Sequence, residues 1–462
     1  MKRYVLFLLA LWMYTSTASA SMQAPLARLE LIPPSPVTDK IQLDMRGAVE
    51  NASDASLHCH IALYLDHESL DARVQSTTAT LAPHASVGIY YRRSTAGWIG
   101  KHNVLLIAAC NKQHIHAERI VEVLPSPVRS TRTIDGAWAG IVHWSEDEAK
   151  YWNSDIRKLT DDDWREQVRG MHQLGMDTVV IQEVFRNEAY QGDGSIAAHG
   201  YHGLAYYPSK LYPGRVGMAA HDPIEAILSE ADRQEMNVFL GIGAYAWFDF
   251  SPEALAWSRQ VVTELWQRYG HHPSFYGWYV SAEAYGSLVP DRGPTGLYRR
   301  QMVDYFAGLQ AHCRNLAPEK PIMLAPNAHG MLQSRTAWPA VLRHLDIVCP
   351  FAFHRMPAGD ITGEQAAAIW QSMCDKTGTH LWLDMEAFVF EGKALVPRPI
   401  AGLLQDMQRF PNFEKILCYQ YPGIFNQPGL RITPGGPATV VLYRDYARYL
   451  ESIGRTPRLT TP

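Results

Sequence analysis

The chain has 462 residues, of which 47% are hydrophobic and 19% charged, and its formal net charge at pH 7 is -4. This length and apolar content can bury more than one large core, so we expect two domains. The near-neutral charge excludes the broad basic surface by which proteins bind nucleic acid. The 13 tryptophans and 23 tyrosines suit the apolar faces of sugars, but large aromatic side chains also fill barrel cores, so their number alone does not decide between these roles.

Residues 1–20 predict a secretory signal. Lys2 and Arg3 precede an apolar run at 4–14, and residues 18–20 form a small-x-small cleavage site. The run is too short to span a bilayer, and no later stretch is long and apolar enough to do so. Cleavage would remove two positive charges and move the net charge from -4 to -6. We therefore expect a secreted or periplasmic protein whose mature chain has no membrane span; an uncleaved anchor is the alternative.

Residues 21–126 predict an all-β, immunoglobulin-like sandwich. Short β-rich segments with partial alternation are separated here by turn-forming residues such as Asn51 and Asn111. A stretch with proline and serine then marks residues 127–133 as a linker. The predicted strands are 41–45, 57–65, 87–91, 104–109 and 119–124.

All six cysteines follow the predicted signal. Cys59 and Cys110 lie on two strand-like segments, and an exported protein can keep a disulfide, so we expect these two to be bridged. The remaining cysteines are scattered over separate predicted elements without the close pairs of a zinc site, and buried free thiols are expected for them. They are Cys313, Cys349, Cys374 and Cys418.

The first domain also offers a candidate metal site. His58 and His60 lie on one side of a predicted strand, and His114 and His116 lie on one side of another segment. Four imidazoles on neighbouring strands could hold zinc or copper. The alternative is a set of exposed histidines on a sandwich face, since no carboxylate cluster accompanies them.

Residues 134–453 predict a (β/α)8 barrel, followed by a tail at 454–462. Short apolar runs alternate with amphipathic helices, which is the pattern of a parallel barrel with its active site at the carboxyl ends of the strands. Thr160, Asp222 and Ser251 are candidate N-caps for three of the helices. The predicted strands are 136–143, 178–184, 237–245, 276–282, 322–326, 347–353, 381–385 and 416–421. The predicted helices are 161–174, 223–235, 252–269, 297–316, 331–343, 362–376, 400–409 and 438–453.

Two glutamates are the candidate catalytic residues. Glu283 closes the fourth predicted strand and Glu386 closes the seventh, so both lie where the barrel opens. A retaining glycosidase needs two carboxyl groups about 5 Å apart, one to protonate the departing sugar oxygen and one to attack the anomeric carbon. Glu283 is the expected general acid/base, with a pKa raised by apolar walls and by the other carboxylate, and Glu386 is the expected nucleophile. The alternative is that either glutamate is a structural hydrogen-bonding group at a strand end.

Other residues near the predicted strand ends are candidates for substrate binding. Glu183 could instead act as acid/base or pair with Arg186, and Asp384 could orient a neighbour or replace Glu386 as nucleophile. Aromatic faces stack on sugar rings, and the long loop at 188–213 could form a wall of the cleft. The candidate substrate-binding residues are Glu183, Tyr245, Trp247, Tyr285, Asn327, Asp384 and Tyr421. Further aromatic candidates are Trp138, Trp144, Tyr201 and Phe388, and further polar ones are His143, His354 and Gln420.

Several motifs in the barrel region match those of a known family. They are residues 163–164, 174–182, 207–210, 269–279, 381–382 and 386–388, together with Glu283. Through them the chain resembles the glycoside-hydrolase-like TIM-barrel family long catalogued as a domain of unknown function. The resemblance implies a barrel and a sugar-cleaving role and, by analogy with clan A glycosidases, an acid/base at Glu283 and a nucleophile at Glu386. Clan A enzymes usually place asparagine just before the acid/base; Ala282 stands there in this chain.

We therefore expect a secreted retaining glycoside hydrolase that acts on an oligo- or polysaccharide and requires no cofactor. One alternative is a barrel that binds glycans without cleaving them. A second is a metal-dependent deacetylase or an esterase, but the sequence has no Gly-x-Ser-x-Gly elbow and its barrel has no histidine-rich metal motif. The expected partner is a carbohydrate substrate, and no nucleic acid is expected.

Overall fold

The computed structural model describes residues 24–187, 203–212, 214–243, 249–290 and 293–457. None of the helices in these ranges combines the length and the apolar character needed to cross a bilayer. The predicted signal at 1–20 lies outside the described residues, as do most of the loop at 188–213 and part of the tail at 454–462.

The amino-terminal unit consists of two β-sheets that enclose one core. Its strands are β1 (Leu26–Ile32), β2 (Val37–Thr38), β3 (Gln42–Glu50), β4 (Leu57–Leu65), β5 (Arg73–Leu81), β6 (Ser86–Ser94), β7 (Gly100–Cys110) and β8 (Gln113–Leu124). One sheet has the order β1-β3-β6 and the other the order β2-β8-β7-β4-β5. Leu43 and Ile89 of the first sheet share a core with Ile61, Leu106 and Val121 of the second. The region is therefore sandwich-like, and each predicted strand lies within, or nearly within, an observed one.

Three strands of this unit, β1, β2 and β5, were not predicted from the sequence. β1 could have been found, because Leu29 and Leu31 alternate with polar residues. β5 is different: it pairs only with β4, at the edge of its sheet, and most of its side chains are polar and exposed or partly exposed. An edge strand without an apolar face gives no alternation from which to recognise it.

The position of β7 beside β4 explains both the disulfide of this unit and the absence of the predicted histidine metal site. Cys59 stands directly opposite Cys110, and the two are bridged, which confirms the predicted disulfide. The other four cysteines are buried free thiols, as predicted. The histidine metal site is not formed, because β7 lies between the two histidine strands: His60 and His114 both stand opposite Ala109. Within the described ranges, no group of potential metal ligands includes any of these histidines.

The second unit alternates strands with helices. Its elements, in chain order, are β9 (Gly136–Ala139), α1 (Asn153–Ile156), α2 (Asp161–Gln173), β10 (Thr178–Ile181), β11 (Phe185–Asn187), β12 (Gly203–Ala205), β13 (Gly214–Arg215), α3 (Pro223–Arg233), β14 (Asn237–Gly241), α4 (Pro252–Tyr269), β15 (Phe275–Val280), α5 (Thr295–Leu316), β16 (Ile322–Leu324), α6 (Trp338–Leu342), β17 (Ile347–Val348), α7 (Gly363–Thr377), β18 (His380–Leu381), β19 (Leu383–Glu386), β20 (Phe388–Glu391), β21 (Ala394–Pro397), α8 (Ile400–Arg409), β22 (Ile416–Tyr419) and α9 (Pro437–Ser452).

Nine parallel strand segments form a nearly closed barrel. Their order is β18-β17-β16-β15-β14-β10-β9-β22-β19. The segments at the two ends of this order, β18 and β19, are separated along the chain only by Trp382, whose amide donates to Val348 O at 2.9 Å. The seventh predicted strand is thus interrupted, and most observed strands are shorter than predicted because their carboxyl ends turn into loops.

The predicted helix signals act as expected. Thr160 accepts a hydrogen bond from the amide of Asp163 and forms a capping box with it. Asp222 and Ser251 cap α3 and α4 in front of a proline at the first helical positions. These caps satisfy amides that would otherwise lack partners, which is why the helices begin where the sequence indicates.

Buried charges join the two units at the amino ends of the barrel strands. Asp44 of β3 accepts from Arg46 at 3.0 Å and lies 3.5 Å from His380 Nε2. His380 Nδ1 in turn lies 2.7 Å from Glu414, and Arg46 pairs with Asp346 at 2.8 Å. All five side chains are almost completely buried, so each charge depends on the others for its stabilisation.

Candidate active site

A pocket lies at the carboxyl end of the barrel, where the loops after six of the strand segments meet. It encloses about 750 Å³ of space outside protein atoms, part of it open solvent. This is the end at which barrel enzymes carry their active sites. The lining residues are Trp138, His143, Trp144, Glu148, Gln182, Tyr279, Ser281, Glu283, Ala325, Phe351, Arg355, Asp384, Glu386, Phe388, Phe390, Leu395 and Tyr419.

Glu386, at the end of β19, is the most strongly bound carboxylate in the pocket. Arg355 Nε donates to its Oε1 at 2.7 Å, Arg355 Nη2 lies 2.6 Å from the same oxygen, and His354 Nδ1 lies 2.9 Å from its Oε2. Burial by itself would raise the pKa of Glu386, but the hydrogen bond from His354 and the charge of Arg355 outweigh it, so the pKa is lowered. Glu386 is therefore ionised at neutral pH.

Glu283 has the opposite electrostatic environment. It follows β15 in an irregular segment and is partly buried. Burial raises its pKa to about 7, the charge of Glu386 adds to the rise, and a hydrogen bond from Asn327 and the charge of Arg355 oppose it. A carboxyl group with this pKa can hold a proton near neutral pH and release it in a reaction.

Asp384 lies on β19, two positions before Glu386, and its side chain points into the same pocket. Burial, followed by the charges of Glu386 and Glu283, raises its pKa well above the ordinary value, which favours the protonated form of Asp384. Its Oδ1 is buried and has no hydrogen-bond partner among the described residues. A neutral carboxyl group here adds no negative charge next to the ionised Glu386.

Glu148 is a fourth carboxyl group in the pocket, on the loop after β9. Its Oε2 lies 3.5 Å from His143 Nε2. Burial, followed by the charge of Glu283, raises its pKa to about 7. Sequence reasoning missed this residue, although its place shortly after the first predicted strand was an available signal.

The structure also brings Arg355 onto Glu386, a contact that the sequence did not predict. Ala352 adopts a left-handed conformation, with φ 69°, directly before a 3-10 turn at Phe353–Arg355. This sharp change of direction places His354 and Arg355 beside the end of β19. Non-glycine residues rarely adopt such a φ, and strained positions of this kind cluster at functional sites.

The predicted substrate-binding residues divide into those at the pocket and those away from it. Asp384 lines the pocket. Asn327 donates a hydrogen bond to Glu283, which also lines the pocket. Glu183 accepts from Tyr206 Oη at 3.1 Å, while its neighbour Gln182 lines the pocket. Tyr285 is partly buried and is not a lining residue.

Tyr421 does not fit the prediction. It is fully buried and stacks on Phe425 at 6.1 Å, next to α2, because the chain has already left β22 and turned outward at this point. Gln420 is likewise fully buried outside the pocket.

Most of the further aromatic and polar candidates lie at the pocket, and the others fall outside the described residues or away from the pocket. Trp138, Trp144, Phe388 and His143 line the pocket, and His354 contacts Glu386. Tyr201, Tyr245 and Trp247 lie outside the described residues.

One group of side chains in the described part of the chain has the spacing of metal ligands: Glu225, His271 and His272. It lies on α3 and on the turn before β15, at the amino end of that strand and away from the pocket. His272 is already engaged by carboxylates on both sides, at 2.6 Å from Asp232 and 3.1 Å from Glu225.

Comparison with known proteins gives the chain a family. The model of the family described as "Domain of unknown function (DUF4434)" matches residues 134–431, which include the barrel and the pocket. The chain belongs to this family. No curated protein matches it.

The solved structures that resemble this DUF4434 protein include glycoside hydrolases. A candidate α-L-fucosidase from Bacteroides thetaiotaomicron is 16% identical with a TM-score of 0.50, over 71% of this chain and 96% of that one. A GH2 β-galacturonidase from Eisenbergiella tayi is 12% identical with a TM-score of 0.40, over 92% of this chain and 73% of that one. Bacteroides uniformis β-glucuronidase 2 is 11% identical with a TM-score of 0.39, over 86% of this chain but only 45% of that one. At such identities the likeness shows the fold alone.

Proposed function

We propose that this protein is a secreted or periplasmic retaining glycoside hydrolase that cleaves an oligo- or polysaccharide and needs no cofactor. The observation that carries the proposal is the opposite behaviour of two carboxyl groups in one pocket. The pKa of Glu283 is raised to about 7, whereas that of Glu386 is lowered. Environments that separate two pKa values in this way are typical of an acid paired with a nucleophile.

The fold interpretation belongs to the same proposal. The barrel is a (β/α)8 barrel in which residues 380–386 form one interrupted strand that closes the ring. An immunoglobulin-like sandwich at 21–126 and a linker at 127–133 precede it. The hydrogen bond from the Trp382 amide to β17 and the pairing of β19 with β22 support this closure.

The reaction follows from the two protonation states. In the first step a Glu386 oxygen bonds to the anomeric carbon while Glu283 gives its proton to the leaving oxygen, and the glycosidic bond breaks. In the second step Glu283, now a carboxylate, takes a proton from water, whose oxygen bonds to the anomeric carbon and displaces Glu386. Arg355 and His354 keep Glu386 ionised and oriented.

A specific observation favours a second candidate, a barrel that binds glycans without cleaving them. Glu386 is only 3% exposed, its Oε1 accepts from Arg355, and its Oε2 lies only 2.9 Å from His354 Nδ1. A nucleophile needs one oxygen free to reach the anomeric carbon. Glycan binding without any turnover, and without trapping on Glu386, would select this candidate.

The first experiment is a panel of 2,4-dinitrophenyl glycosides of common hexoses, pentoses and uronic acids, in both anomeric forms. We expect the wild type to turn over at least one member. On that substrate Glu386→Gln should lose roughly 10³-fold or more in kcat/KM, because an amide cannot act as the nucleophile. Glu146→Gln, on an exposed residue of the same rim, is the matched control and should retain activity.

The second experiment identifies the roles. A 2-deoxy-2-fluoro analogue of the cleaved glycoside should leave an ester on the peptide that contains Glu386, detectable by mass spectrometry. Glu283→Ala with added azide should regain turnover and release a glycosyl azide of retained configuration, because azide does not need the general base. Label on Asp384, or inversion of configuration, would refute the assigned mechanism.

A further inference from the structure

The hairpin formed by β20 and β21 extends the pocket beyond the carboxyl groups. It begins two residues after Glu386, and its residues Phe388, Phe390 and Leu395 line the pocket. Side chains alternate along a strand, so Phe388 and Phe390 share the face toward the pocket while Val389 faces the other way. Sequence reasoning missed this hairpin, which lies at the end of the barrel where active-site loops usually lie.

A row of aromatic rings leads from the floor of the pocket to its mouth. Tyr419 lies 6.1 Å from Phe388, and Phe388 lies 5.6 Å from Phe390, each pair in edge-to-face contact. Phe388 is 7% exposed, whereas Phe390 is 50% exposed. The outermost ring thus presents an apolar surface to solvent within the substrate cleft.

Phe390 is separated from the reactive centre by a single side chain. Arg355, which binds Glu386, lies with its Cζ 5.8 Å from the centre of the Phe390 ring. A sugar unit bound against Phe390 is therefore next to the unit bound at Glu386, not at a remote surface.

The hairpin is fixed before any substrate binds. The Leu395 amide donates to Glu148 O at 2.9 Å, Tyr151 Oη donates to Glu391 at 3.2 Å, and Lys393 pairs with Asp147 at 3.0 Å. These bonds tie the hairpin to the segment after β9. Because the hairpin that carries Phe390 is already held in place, little conformational entropy is lost on binding, which favours this ring as a stacking surface.

We propose that Phe390 is the stacking surface of a second sugar subsite, which binds the pyranose unit adjoining the bond to be cleaved. The ligand class is a hexopyranosyl chain of at least two units, whose C–H faces pack on aromatic rings. This inference rests on the proposed function, because it assumes that Glu283 and Glu386 cleave the glycosidic bond beside that unit.

The test compares Phe390→Ala with Val389→Ala, a matched control on the opposite face of the same strand and 37% exposed. For the sugar identified with the aryl glycoside panel, kcat/KM is measured on the glycosyl fluoride, a monoglycoside whose leaving group is too small to stack on Phe390, and on the trisaccharide. Phe390→Ala should lower the trisaccharide-to-monoglycoside ratio about tenfold, the effect of one stacking contact. Val389→Ala should leave the ratio unchanged. An unchanged ratio in Phe390→Ala, or an equal fall in both variants, overturns the proposal while the hydrolase function stands.

A binding measurement keeps the two proposals apart. Migration of each protein is compared in native gels with and without barley β-glucan, locust bean galactomannan or dextran. Retardation of the wild type that is lost in Phe390→Ala and kept in Val389→Ala supports the subsite even if no glycoside is cleaved, in which case the hydrolase proposal alone fails. If no polysaccharide retards the wild type, and if its kcat/KM does not depend on the length of the sugar chain, the subsite is rejected.

Discussion

The buried ion pairs between the two units predict a pH-dependent stability that depends on His380. This imidazole lies between Glu414 and Asp44, at 2.7 Å and 3.5 Å, and Arg92 Nη2 lies 3.5 Å from its Nε2. Burial alone would lower the pKa of His380, but the charge and hydrogen bonds of the two carboxylates outweigh it and raise the pKa to about 9. The variant His380→Gln removes the cation and keeps a hydrogen-bonding side chain.

The magnitude follows from the shift. The ordinary histidine pKa is about 6.5, so the folded protein binds this proton more tightly by about 3 kcal/mol. Because the folded pKa is the raised one, this stabilisation is fully present below pH 6.5 and is lost as the pH rises through about 9. Between pH 7 and pH 9.5 the free energy of unfolding should fall by about 2 kcal/mol on account of this one group.

Urea denaturation at several pH values measures the effect as a difference between proteins. Buried cysteines and tyrosines also change stability at high pH, but they do so equally in the wild type and the variant. The gap in unfolding free energy between wild type and His380→Gln should therefore shrink by about 2 kcal/mol from pH 7 to pH 9.5. His84→Gln, at an exposed ion pair with Asp54, is the control and should show a constant gap. A gap for His380→Gln that is the same at every pH would show that the proton on His380 does not stabilise the folded protein.

Three other outcomes follow from the structure. In the wild type, kcat/KM on an oligosaccharide, whose leaving oxygen needs a proton, should fall as the pH rises through about 7, because Glu283 has to hold its proton to act as the acid; a basic limb only above pH 8.5 in the pH–rate profile would contradict this. Reduction of the Cys59–Cys110 bridge, which joins positions 51 residues apart, should lower the unfolding free energy by about 4 kcal/mol in urea titrations with and without reductant, and an unchanged midpoint would argue against it. Gly170→Ala should lower the unfolding free energy in urea titrations by about 1–3 kcal/mol, since the added Cβ would overlap buried side chains packed against α2. Gly217→Ala, with open space around it, should change the unfolding free energy by less than about 0.5 kcal/mol.

Local signals in the sequence were enough for much of the barrel. The strands carry short apolar runs, and Thr160, Asp222 and Ser251 define helix starts through hydrogen bonds to amides only three residues away. Such interactions depend on near neighbours, so they can be inferred without knowing the fold. The interrupted strand at Trp382 and the hairpin that follows Glu386 could not be inferred, because they depend on which strands become neighbours in the ring.

Strand periodicity and motif position are properties of the chain, and they were enough to predict two glutamates near the carboxyl ends of barrel strands, where Glu283 follows β15 and Glu386 ends β19. The chemical difference between the two glutamates arises only in the folded protein. Arg355 and His354 come from the turn after β17 and make Glu386 acidic, whereas burial and Asn327 define the environment of Glu283. The pKa of a carboxyl group is determined by the charges and solvent around it, and these are supplied by residues that are distant in the chain and adjacent only in the folded barrel.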